Sequence, residues 1–126
     1  MISEQLSVNE AAVAIRDAII ANPFIKRTTS DLASEFRVDR NKLLPAFKNL
    51  TGTTIRRFRF EQLMIAASQM LLKEMTVKEV AIECGYPDHQ NNFTRGFKNV
   101  FRLGPEEWLR IKQLEKTNNN GNEQLS

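Results

Sequence analysis

With 126 residues and 41% hydrophobic side chains, the chain suffices for one domain or two very small lobes around a modest core. A single cysteine, Cys84, excludes an intramolecular disulfide framework and points to a reducing cytoplasm; with His89 as the one histidine, it leaves no ligand set for structural zinc. The net charge of +3 is uneven: residues 23–75 carry ten Lys/Arg against five acids, an excess that suits either a solvated face or a phosphate backbone.

Val8 to Ala21 has amphipathic spacing, with Val8, Ala11, Ala12, Ile15 and Ile19 on one face, and Asn22-Pro23 ends it. Residues 1–22 therefore read as a packing helix laid over the segment from residue 23 to 52. The short Met1–Gln5 segment carries an acid and no basic cluster, which is not the pattern of a signal peptide. Thr28-Thr29-Ser30-Asp31 is a capping box that opens a short helix through Phe36. Arg37-Val38-Asp39 is a tight connection, with Asp39 as the next N-cap. A second short helix runs to about Leu50 with Leu43, Phe47 and Leu50 inward, and Gly52 stops it.

Thr53 or Thr54 caps a longer helix to about Lys73, apolar on parts of two faces: Ile55, Phe58, Ile65 and Ala66 on one, Leu63, Ala67, Met70 and Leu71 on the other. Its length of ~30 Å is close to the ~34 Å between successive major-groove faces on one side of B-DNA. Thr76-Val77-Lys78-Glu79 is another capping box, followed by inward Val77, Val80, Ala81 and Cys84, a turn at Gly85–Asp88, and a helix with Phe93, Phe97 and Val100 inside. Gly104-Pro105 opens a last helix anchored by Trp108 and Leu109. Beyond Lys116 the chain is polar, and residues 113–126 read as a disordered tail. No apolar run approaches the ~20 residues of a membrane span.

Phe47-Lys48-Asn49-Leu50 recurs as Phe97-Lys98-Asn99-Val100 fifty positions later, in similar surroundings. A repeat of this length is one supersecondary unit built twice. The predicted fold class is all-α: two helix-turn-helix subdomains, residues 23–52 and 75–112, joined by a long linking helix at 53–74.

Three stretches carry a family resemblance: Val77-x-x-Val80-Ala81-x-x-Cys84-Gly85-Tyr86, then Phe93-x-Arg95-x-Phe97-Lys98, then Pro105-x-x-Trp108. They resemble the DNA-binding region of the AraC/XylS family of transcription regulators, over residues 24–112. The first half, Lys42-Leu43-x-x-x-Phe47-Lys48-x-x-x-Gly52-Thr53-Thr54, is similar to the branch that includes siderophore-responsive regulators. The resemblance implies double-stranded DNA as partner, with RNA polymerase as a further candidate. It also implies binding as a monomer unless the chain is cut from a larger dimeric one. No cofactor is expected, and composition and motif content give no reason to expect a metal, a membrane or enzymatic activity. The initial Met suits either a stand-alone regulator or a piece of a longer chain.

By resemblance, helices Arg40–Leu50 and Gln90–Val100 are the readers. Arg40, Asn41, Leu44 and Pro45 on the first, and Gln90, Asn91, Thr94 and Arg95 on the second, align with base-reading positions. Asn and Gln can pair bidentately with adenine, Arg with guanine, and Leu44 can touch a thymine methyl. Lys42, Lys48, Arg56, Arg57 and Lys98 are the expected phosphate contacts, with helix-start amides near Thr28, Thr53 and Thr76.

The chain departs from the family pattern at four places. Pro45 lies inside the first reader, where it removes an amide donor. The turn from Gly85 to Phe93 is one residue longer, which would shift the start of the second reader. Arg102 and Gly104 stand where Gly and Ser or Thr are common, so a different exit turn is expected. Leu63 replaces a frequent arginine. Pro45, Leu44 and the modest net charge favour an alternative: a protein-interaction module that kept the fold and lost DNA readout. An enzyme lacks its parts here. There is no phosphate-cradling loop and no nucleophile with a base, and Cys84 reads as a buried small hydrophobe.

Overall fold

The computed structural model describes the backbone of residues 6–125 and side chains through residue 118; the Met1–Gln5 reading lies outside the described residues. Seven helices follow in order: α1 Val8–Ala21, α2 Thr29–Glu35, α3 Arg40–Thr51, α4 Ile55–Leu72, α5 Val77–Glu83, α6 Gln90–Phe101 and α7 Pro105–Leu125. The architecture is all-α, and no described helix is long and apolar enough to cross a membrane. The chain divides within α4 into two compact units, one ending at Leu63 and the other starting at Met64.

The first unit is built from α1, α2, α3 and the first turns of α4. Ser7 caps α1 in a reciprocal box with Glu10, and Thr28 does the same for α2 with Asp31. The core gathers Ala12, Ile15 and Ile19 of α1, Leu32 and Ala33 of α2, Leu43 and Phe47 of α3, and Ile55 of α4. Phe58 lies edge-on to Phe47, with ring centroids 5.3 Å apart and planes at 75°. Arg59 donates from Nη2 to the Ile25 carbonyl at 2.9 Å, tying the α1–α2 connection to α4.

The second unit is built from the rest of α4 with α5, α6 and α7. Thr76 and Glu79 form the capping box of α5. Phe97 contacts Phe93, Phe101 and Trp108, and the Phe97–Trp108 pair is edge-on at 5.6 Å and 77°. This repeats the Phe47–Phe58 geometry fifty residues on. The repeat also reaches one helix further than the FKN motif shows. Buried Ala12, Ile15 and Ile19 of α1 share their spacing with buried Met64, Ala67 and Leu71 of α4.

The expected exit-turn difference does not occur. Gly52 and Arg102 are both left-handed, at φ 82° and 71°, and each amide donates to a carbonyl four residues back, of Lys48 and Lys98, at 2.8 Å. Packing on both sides of the turn holds Arg102 in a conformation an L-residue otherwise avoids. The start of the second reader keeps the fifty-residue offset from the first. The turn preceding α6 has six residues against four before α3, and the extra length is absorbed there. Consequently α6 starts at Gln90, fifty after Arg40.

Pro45 lies within its helix as expected, and two further differences from expectation concern packing and the C-terminus. α3 continues through Pro45, whose missing amide falls on the exposed side, where water can bond the Asn41 carbonyl. Leu50 and Ile65 are 40% and 41% exposed, while Met64 is buried in the place expected for its neighbour. Residues 113–125, expected to be disordered, continue α7. No proline interrupts them, and Thr117 Oγ1 back-bonds the Gln113 carbonyl at 3.1 Å.

Phe97 is fully buried at the meeting point of α6 and α7, so Phe97→Ala should lower unfolding free energy by about 3–5 kcal/mol in urea titrations. Arg102→Gly should raise it by about 1 kcal/mol by removing left-handed strain; an unchanged or lower midpoint would refute the strain assignment.

Candidate nucleic-acid interface

Anchoring α3 by Leu43 and Phe47 turns a stripe of other positions outward. Arg40, Asn41, Pro45 and Lys48 are exposed and Leu44 is half-buried. On α6 the anchors are Phe93 and Phe97, and the equivalent stripe is Gln90, Asn91, Thr94, Arg95 and Lys98. Thr94 is half-buried and its methyl faces Gly104, so it leans toward its own unit. All eight expected base readers thus occur on matching faces of two 12-residue helices.

The two faces differ in chemistry. The α6 stripe is made of hydrogen-bonding groups, and Gln90, Asn91 and Arg95 share a polar hollow with Asp88, His89 and Asn92. The α3 stripe has an apolar middle. Leu44, Pro45 and Ile55 form the floor of a groove of 670 Å³ rimmed by Arg40, Lys48, Arg56 and Arg59. Arg59, Thr29, Thr54 and Ile55 are not among the site residues expected from the sequence. Arg59 lies three residues after Arg56 on α4, so helical spacing from Arg56 could have found it, and Ile55 follows from its own i,i+4 spacing to Arg59.

The expected phosphate contacts are not equally available. Lys42, Lys48, Arg56 and Lys98 are exposed and take part in none of the ion pairs among the described residues. Arg57 is engaged: its Nε bonds Glu61 at 3.0 Å, and its guanidinium lies over the Phe60 ring. At the helix starts, the Thr76 amide donates to Glu79 at 2.9 Å and the Thr28 amide to Asp31 at 3.1 Å. The Thr76 amide and hydroxyl hold the Glu79 carboxyl below its ordinary pKa, so it is ionised at neutral pH and would repel a phosphate there. Half-buried Thr53 gives its amide to Thr51 Oγ1 at 3.3 Å. Lys48 and Lys98 also sit in the last turns of their helices, where a cation complements the dipole.

A model described as "Helix-turn-helix domain" matches residues 32–111. The chain belongs to the AraC-type helix-turn-helix family of transcription regulators. Its fold is that of the family's two-motif DNA-binding region. Among similar solved structures, the C-terminal domain of AraT, a response regulator from Geobacillus stearothermophilus, superposes with a TM-score of 0.69 at 22% identity. That match covers 86% of this chain and 88% of that one. A DNA-binding transcriptional dual regulator from Escherichia coli K-12 gives 0.68 at 21% identity, over 90% and 99%. Transposon Tn10 TetD protein of Escherichia coli is 36% identical over 70 residues, 55% of this chain. The chain thus matches only half the length of that relative.

In this AraC-type chain no group of three or more His, Cys, Asp or Glu among the described residues could hold a metal. Cys84 caps α5 from a buried position, and desolvation followed by the nearby Glu83 charge pushes its thiol from 9.0 up to about 12. The fold therefore favours the protonated thiol. That contribution is complete below pH 9.0 and is lost as pH rises toward about 12. Native Cys84 should react with iodoacetamide at neutral pH about 10³-fold more slowly than in urea, from thiolate content alone. Equal rates would show an accessible, activated thiol.

Proposed function

We propose that the protein binds double-stranded DNA by placing α3 and α6 in the major groove, and that it regulates transcription from there. What supports this is the matched pair of outward faces, each presented by an inward aromatic anchor, in a chain of this family. Base reading is assigned mainly to α6. Arg95 suits guanine O6 and N7, and Gln90 and Asn91 suit adenine N6 and N7. Thr94 takes a secondary part. On α3, Arg40 and Asn41 are the polar readers, and Leu44 and Pro45 offer only apolar contact. Lys42, Lys48, Arg56 and Lys98 carry the backbone contacts. Thr53, Thr76 and Arg57 are left out of this set because their donors are engaged within the protein. RNA polymerase is a natural further partner for a regulator bound at a promoter, and the cytoplasm the natural place.

The apolar middle of α3 favours a second reading, a protein-interaction module without base readout. A salt titration separates the two. Binding that neutralises several phosphates weakens with salt at a log–log slope of about −0.9 per phosphate. Absence of binding to any duplex at low salt would leave the interaction module ahead.

Arg95→Ala should cost about 1–3 kcal/mol on a selected site and little on random duplex. Equal losses on both would reduce Arg95 to a phosphate contact. Lys48→Ala should weaken all duplexes alike and flatten the salt slope by about 1, as measured by fluorescence anisotropy.

A further inference from the structure

The groove beside α3 has a composition that a phosphodiester backbone does not explain. Its floor is Leu44, Pro45 and Ile55, and no acid lines it. Of the four cations on its rim, Arg40, Lys48 and Arg56 take part in none of the ion pairs among the described residues, and Arg59 spends one donor on the Ile25 carbonyl. A volume of 670 Å³ falls within the range of about 300–1,000 Å³ typical of small-molecule sites. Phosphate oxygens would satisfy the rim but leave the floor facing water. An apolar body carrying one negative group would satisfy both. The corresponding face of α6 has no such floor, since its hollow is polar and includes Asp88. The groove therefore belongs to the first unit and does not follow from the repeated motif.

We infer that this groove binds a small organic anion with a flat or branched apolar body, and that the bound anion excludes DNA from α3. The apolar body covers Leu44, Pro45 and Ile55. The carboxylate or sulfonate lies among the rim cations, where charge-assisted hydrogen bonds from Arg are stronger than neutral ones. The exclusion arises because Arg40, Leu44, Pro45 and Lys48 belong at once to the groove and to the proposed reading face. This part rests on the proposed reading role of α3. Occupancy would thus convert the level of an amphiphilic metabolite into loss of DNA binding, in a single unit and without a separate sensing domain.

The probe is 8-anilino-1-naphthalenesulfonate, which pairs an apolar naphthalene and phenyl body with a sulfonate, titrated into the full chain and followed by fluorescence. One saturable site per chain is expected, with a melting temperature that rises with probe concentration, as ligands of the native state require. Pro45→Glu places an acid in the exposed part of the apolar floor without removing a core contact. Pro45→Glu and the double variant Lys48→Ala/Arg56→Ala should each weaken the probe by about tenfold or more. Arg95→Ala should leave probe binding unchanged while losing site preference on DNA. Added probe should displace a fluorescent duplex at concentrations matching its own dissociation constant.

Non-saturable binding, a falling melting temperature, or full binding by both groove variants would overturn the site. Saturable binding alongside undisturbed duplex binding would overturn the exclusion. Saturable, groove-dependent binding by a chain that binds no duplex at low salt would uphold the site and overturn instead the assignment of α3 to DNA.

Discussion

Each unit depends on one edge-on aromatic contact, between α3 and α4 in the first and between α6 and α7 in the second. Helices of 12 residues are marginal on their own in water, so α3 and α6 persist because packing holds them. Phe47 meets Phe58 and Phe97 meets Trp108 at nearly the same separation and angle. With Leu43 and Phe47 fixed inward, helical geometry turns Arg40, Asn41, Pro45 and Lys48 outward and leaves half-buried Leu44 at the edge of the core. The same holds on α6 for Gln90, Asn91, Arg95 and Lys98, with half-buried Thr94 leaning toward its own unit. The exposed faces are thus a consequence of the aromatic joints.

The elements with purely local causes are legible in the sequence. Thr28 with Asp31, Thr76 with Glu79, and Asp39 all act as the caps their spacing implies. The FKN repeat marks two helices fifty residues apart. What local pattern does not show is how one helix divides its side chains between two units. The first turns of α4 give Ile55 and Phe58 to one core, and Met64, Ala67 and Leu71 are buried in the part belonging to the other unit. A face that starts at Ile55 and Phe58 and is continued to Ile65 therefore mistakes exposed Ile65 for core, and the second face drawn through Leu63 and Ala67 passes over Met64. The spacing of Ser7 and Glu10 is also that of a capping box, and it marks the start of α1 as clearly as the hydrophobic pattern does. The same capping chemistry that announces α2 and α5 also consumes the amides near Thr28 and Thr76 that the resemblance assigns to phosphate.

The faces of the two units are alike in geometry and unlike in chemistry. On α6 three of the five outward residues are Gln, Asn and Arg, groups with directional donors for base edges. On α3 the middle two are Leu44 and Pro45, which offer shape and apolar area only. Proline also stiffens this position and withdraws one backbone donor. A face of this kind discriminates weakly by hydrogen bonding, yet its rim cations attract any anion. A division of labour results: selectivity rests with the second unit, and electrostatic attraction together with the apolar groove rests with the first.

Around their two short helices the units make the same backbone demands, met in opposite ways; Glu74 after α4, at φ 68°, has no left-handed counterpart after α1, where Asn22 is at φ −143°. Each unit needs a left-handed residue after its first short helix and another after its second. In the first unit these are Arg37 and Gly52; in the second they are Gly85 and Arg102. The first pair of turns is equivalent in bonding. The amides of Arg37 and Gly85 each donate to the carbonyl three residues back, of Ser34 and Ile82, and the next amides, of Val38 and Tyr86, reach back to Ala33 and Ala81. Each unit therefore carries one glycine, which adopts the shape freely, and one arginine, which is strained there by about 1–2 kcal/mol. Because equivalent hydrogen bonds form with either residue, the conformation is imposed by the packed helices on both sides and not by the turn residue. A glycine sought at every such turn would find each unit half marked, whereas the inward aromatics mark both.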